Sequence, residues 1–245
     1  MVTKTIPLFI SVFSLLSSGS LIFLIFNFFY GRLKTISNKK RRRIYISLFA
    51  IFLFLLFQGF LSFQGFFHNF ELPPKLLVGI LSTFVIFLSF GFSKQIFSFL
   101  KEFGSINLCL FQVWRFLPEL LIFLLVREGL LSEIMTLKGR NFDLWVPMSA
   151  PILYLAISRN LLSIRWLLLW NVIAIFVLGL TVFTGVMSVP FPFRILFTNP
   201  PNEIVTRFPI SYLPLLMVPL AFSSHILGIA IGWKEWKEER TLTKG

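Results

Sequence analysis

Seven stretches of the chain are almost free of charge, and they decide what it can fold into: residues 7–30, 44–67, 76–93, 105–126, 144–158, 166–188 and 208–231. A helix crosses about 30 Å of hydrocarbon with roughly 20 mostly apolar residues, at about 1.5 Å per residue. Six of the stretches have 18 or more residues. Charged residues make up 13% of the chain, against about 25% in an ordinary soluble domain, so a water-soluble globule is excluded. The expected fold is all-α, a polytopic transmembrane bundle of seven helices forming a single domain over 1–245. The longest connection, 189–207, is too short to hold a separate soluble domain.

Charge then orients the bundle. Seven basic residues fall between Arg32 and Arg43, in the connection between the first two stretches. Cytoplasmic segments are enriched in Lys and Arg. With the N-terminus outside and the C-terminus inside, 15 basic residues lie in the cytoplasm and seven outside, while Arg115 falls within the membrane. Treating 144–158 as re-entrant abolishes that bias, so a spanning segment starting near Asn141 is expected despite Pro147 and Pro151. The basic cluster serves as a topogenic signal, and Lys39, Lys40, Arg41, Arg42 and Arg43 are also candidates for binding anionic lipid head groups. No nucleic-acid module accompanies the net charge of +13. The N-terminal apolar run continues to Tyr30, too long for a signal peptide, and is read as a spanning helix.

The residues most able to carry chemistry are Arg115 and Glu119, four apart on one helical face. A charge in hydrocarbon costs at least about 2.5–3.5 kcal/mol and normally faces the bundle interior with a partner. The spacing predicts an internal Arg115–Glu119 ion pair, with Pro118 kinking the helix beside it. Asn171 and His225 fall at a similar depth and are candidate lining for the same pocket. Arg140, Asn141 and Asp143, with the proline-rich segment around Pro190, Pro192, Pro200 and Pro201, are expected to close its outer mouth. Interrupted helices and ordered polar loops of this kind mark binding sites in transporters.

Several chemistries are missing. Cys109 is the only cysteine, so neither a disulfide within the chain nor a thiolate metal cluster can form. His68 and His225 fall on opposite sides of the membrane, which discounts a two-histidine metal site. There is no P-loop, GxGxxG, HExxH or GxSxG, and no cofactor is expected. Helix seven also lacks a lysine for a retinal Schiff base.

The motifs Leu137-Lys138-Gly139-Arg140-Asn141-Phe142-Asp143, Leu169-Trp170-Asn171, Val189-Pro190-Phe191-Pro192-Phe193 and Asn199-Pro200-Pro201-Asn202 mark the C-terminal half. With Ser149-Ala150-Pro151, Val218-Pro219-Leu220 and His225, this half resembles a group of bacterial multi-pass membrane proteins without an assigned activity. The resemblance implies a bacterial inner-membrane protein and supplies no mechanism. The sequence favours a non-enzymatic binding, sensing or transport-like module with a polar site inside the bundle. The alternatives are an intramembrane enzyme acting on a lipid or isoprenoid, with Glu119 or His225 as acid–base group, and a structural subunit with a protein partner in the membrane.

Overall fold

The computed structural model describes residues 5–32 and 37–242, and among these the regular structure is entirely helical. Nine α-helices follow in order: α1 (Leu8–Arg32), α2 (Asn38–Phe63), α3 (Lys75–Phe92), α4 (Lys94–Phe103), α5 (Ser105–Phe111), α6 (Phe116–Arg127), α7 (Trp145–Ser158), α8 (Ile164–Met187) and α9 (Val218–Leu242). Six helical segments are long and apolar enough to cross a membrane: Leu8–Tyr30, Asn38–Phe63, Lys75–Phe92, Ser105–Arg127, Ile164–Met187 and Leu213–Thr241. At 14 residues, α7 is shorter than the rest, about 21 Å at 1.5 Å per residue.

The helical segment Leu213–Thr241, which contains most of α9, forms the axis of the bundle. Buried positions fill 67% of its apolar window, against 22–44% in the other five. Small residues let neighbours approach it closely: Gly91 of α3 faces Leu227, and Gly228 faces Asn171 of α8. α1 turns a stripe of Ile10, Ser14, Ser17, Ser18 and Leu21 inward. These positions recur at helical spacing, and Ser14 donates to the Pro209 carbonyl at 3.1 Å. α2 and α3 are joined by Gln58, whose amide donates to the Gly79 carbonyl at 3.0 Å and accepts from Thr83 at 3.1 Å.

Four local expectations are revised. First, Lys39–Arg43 stand on the opening turns of α2 and not in a connecting loop, because the helix begins at Asn38. Lys4, Lys34 and Lys244 lie outside the described residues, as does the side chain of Arg32. Second, the connection after α3 contains a further helix. In α4, Ile96, Phe99 and Leu100 face inward and Lys101 meets Glu238 at 2.6 Å. Gly104, at φ 89° and ψ 146°, ends it in a region open essentially to glycine alone.

Third, the fourth stretch is not one regular helix. Pro118 has no N–H for the Trp114 carbonyl, and its ring crowds that carbonyl. The backbone tightens into a 3-10 turn at Gln112–Arg115 between α5 and α6. Fourth, α7 starts at Trp145 and not near Asn141. The Asn141 side-chain oxygen accepts from the Asp143 amide at 2.9 Å, a local turn that competes with helix.

The proline-rich segment folds down onto the end of α8. The Asn202 amide N–H bonds the Ser188 carbonyl at 3.0 Å, its side chain donates to the Gly185 carbonyl at 2.9 Å, and Val189 and Phe191 join the core. A 3-10 turn spans Asn202–Thr206, and a π-helical turn at Leu213–Met217 precedes α9.

Candidate functional site

Arg115 sits at the end of the 3-10 turn and is among the largest fully buried side chains. Its ion-pair partner is Asp143, from the turn ahead of α7, and not Glu119. The predicted Arg115–Glu119 pair does not form: the change of helix type at Arg115 breaks the regular four-residue alignment, and Glu119 is taken up elsewhere. Its Oε2 accepts from the Asn141 amide at 2.9 Å. Among the described residues, no Lys or Arg nitrogen lies within ion-pair distance of the Glu119 carboxylate.

On its other side Arg115 reaches α9, with Nη1 2.8 Å from His225 Nε2. A guanidinium can only donate, so Nε2 accepts and the ring proton is on Nδ1. Nδ1 lies 2.8 Å from Asn171 Oδ1, and Asn171 Nδ2 donates to the Leu167 carbonyl at 2.9 Å. The donors run one way, from Arg115 through His225 to Asn171 and the α8 backbone. The indole of Trp170 packs beside His225, with ring centroids 5.4 Å apart, and donates to Ser149 of α7 at 2.8 Å.

Asn141 closes the network on the Glu119 side. Besides Glu119 and the Asp143 amide, it bonds the Met135 carbonyl at 3.1 Å and the Thr181 hydroxyl at 3.0 Å. The structure thus joins Arg115, Glu119, Asn141, Asp143, Asn171 and His225 in one connected set. Arg140 does not belong to it, being exposed one residue from Asn141. Arg194 stacks over Phe197 and Glu203 pairs with Arg207, so neither lines the interior.

A cavity of about 90 Å³ adjoins this network, lined by Arg115, Glu119, Asp143 and Thr181 among apolar side chains. Trp114 and Asn202 also line it. Both are more than nine-tenths buried, and Trp114 Nε1 and Asn202 Oδ1 have no hydrogen-bond partner among the described residues. Sequence reasoning singled out neither as a site residue. Trp114 stood beside Arg115 in an apolar run, and only the fold brings the loop carrying Asn202 to it. No group of three or more His, Cys, Asp or Glu side chains suited to a metal occurs among the described residues.

Comparison with known proteins adds no relative: no family model, curated protein or solved structure matches the chain.

Proposed function

We propose that this chain is a non-enzymatic binding, sensing or transport-like module of a bacterial inner membrane that takes up one small cation beside Glu119. The proposed topology has seven helices, α7 being the short one, with the N-terminus outside and the C-terminus in the cytoplasm. The 15-to-7 distribution of basic residues supports that orientation.

The observation that carries the reading is the charge balance around the cavity. One guanidinium faces two carboxylates there, and Arg115 is already engaged by Asp143 and His225. Ionisable groups at membrane depth are expected to be paired or functional, and the half-buried Glu119 is the one without an ion-pair partner among the described residues. The volume suits a few water molecules or a solute of a few non-hydrogen atoms. The unpartnered Trp114 donor and Asn202 acceptor offer further polar contacts for it.

The test is the thermal stability of detergent-purified protein titrated with sodium, potassium, ammonium or methylammonium chloride, against choline chloride at equal ionic strength. A ligand bound only by the folded state stabilises by RT ln(1 + [L]/Kd). One of the small cations should raise Tm saturably in the wild type and not in Glu119→Gln. An equal response of the variant, or no cation distinguishable from choline, overturns the reading and leaves the Arg115 network as an internal staple.

A further inference from the structure

A second and larger cavity, of about 470 Å³, opens between α1, α2, α3, α4 and α9. Its volume falls within the range of about 300–1,000 Å³ that holds ligands of drug size, and its walls are almost wholly apolar. Phe26 and Phe29 of α1, Leu48 and Phe52 of α2, Phe90 of α3 and Leu100 of α4 represent them. Such a lining, with Asn27, Ser223 and Ser224 as its polar side chains, suits a hydrocarbon chain better than a polar solute.

The cavity belongs to the end of the bundle where the basic cluster stands. Leu48 lies on α2 two turns after Arg41, which places both on the same helical face about 10 Å apart along the axis. Between them Tyr45 packs against the apolar cluster that contains Leu48 and Phe29. Tyr45 also lines an open hollow with Asn38, Arg41 and Arg42. The apolar cavity and the hollow carrying two guanidinium groups therefore meet α2 about 10 Å apart along its axis, through Leu48 and Arg41 on one face. The planar fork of arginine matches phosphate oxygens in pairs.

We infer that this face holds one anionic phospholipid, with an acyl chain in the cavity and its phosphate on Arg41 and Arg42. The inference rests on the membrane reading alone and is independent of the cation site beside Glu119. The charge complementarity of the hollow selects an anionic head group, and the depth of the slot distinguishes one held lipid from the passing lipids around it.

Native mass spectrometry of the purified full chain, exchanged into micelles with phosphatidylglycerol or phosphatidylcholine of identical chains, tests this. One phosphatidylglycerol should be retained per protein, and Arg41→Gln with Arg42→Gln should reduce that preference about 25-fold, at about fivefold per basic side chain. Leu48→Trp, which fills the slot, should release the lipid while helix content holds. Dihexanoyl phosphatidylglycerol, which needs no variant protein, should be retained far less than its dipalmitoyl counterpart. Equal retention of the two head groups, of the two chain lengths, or by Leu48→Trp overturns the proposal. Displacement of the lipid by soluble glycerol phosphate at equal concentration does so as well, since the head group alone would then be recognised.

Discussion

Replacing Arg115 by methionine keeps most of the side-chain volume and removes the charge that Asp143 depends on. Both partners are buried, with side-chain exposures of 1% and 6%. Removing one member of such a pair leaves an uncompensated buried charge and typically costs about 3–5 kcal/mol. The same substitution leaves His225 Nε2 without its donor, which adds in the same direction. Asp143→Asn is expected to destabilise less, because an amide oxygen can still accept from Arg115. In the double variant neither member of the pair is left charged without the other, so its loss should fall short of the sum of the singles by at least about 2 kcal/mol, within the range of coupling between contacting residues. Reversible unfolding in mixed micelles by increasing SDS, followed by tryptophan fluorescence, measures all four species, and Trp114 and Trp170 report from beside the network. Arg115 with Glu119→Gln forms a second cycle, with a smaller expected coupling because the two do not pair directly. Additive losses for Arg115 and Asp143, or a larger coupling for Arg115 and Glu119, would refute the assignment of partners.

Asn141→Ala removes a side chain that bonds Glu119, Met135, Asp143 and Thr181. It should destabilise by about 1–3 kcal/mol for each polar group left unsatisfied, and limited proteolysis should reveal earlier cleavage within 128–144. In Gly228→Ala the new Cβ would lie 3.1 Å from Asn171 Oδ1; the amide must shift from His225, and a loss of about 1–3 kcal/mol is expected in the same unfolding assay. Gly104→Ala forces an L residue into φ 89° and ψ 146°, at a cost of about 1–3 kcal/mol, and should lower the melting temperature. In the connection between α2 and α3, desolvation of the His68 ring and the nearby Arg207 guanidinium lower its pKa, against the Glu203 carboxylate, which raises it. The unfolded chain therefore binds more protons just below the ordinary histidine pKa of about 6.5. Stability should fall as pH drops through that value and level off below the folded pKa, and His68→Gln should flatten this part of the melting-temperature profile.

The spanning helices were legible because a long apolar run has few other solutions in hydrocarbon, and six of the seven stretches correspond to helices long enough to cross. The departures have local causes. α4 was hidden by its length, although Ile96, Phe99, Leu100 and Phe103 recur at i, i+3, i+4 and i+7 and mark one helical face. Six of the polar residues singled out from the sequence share one network, with Arg140 outside it, because ionisable and amide side chains are costly in the membrane and gather where they can satisfy one another. Their pairing was not legible. Arg115 to Glu119 is the natural pair on a regular helix, but Pro118 alters the backbone between the two halves of that span. The better-placed carboxylate then arrives from residue 143, 28 positions away in the sequence, and spacing along one helix carries no information about it.

The irregular backbone and the polar network explain one another. A 3-10 turn at Gln112–Arg115 and a π-helical turn at Leu213–Met217 both interrupt regular helix within spanning segments, and each lies beside a proline, Pro118 or Pro214. Freed backbone groups at membrane depth are tolerated only where protein or a cavity covers them. Both turns contribute to the wall of the small cavity, through Trp114 and Arg115 on one side and Leu213 and Met217 on the other. Glu119 lines the same cavity, and no arginine or lysine pairs its carboxylate among the described residues. π-helical turns occur frequently at functional sites, and in the proposed cation-binding reading Glu119 is the group whose occupancy the cavity controls. Substituting Glu119 should therefore change ligand response more than fold stability, whereas substituting Arg115 or Asp143 should do the reverse.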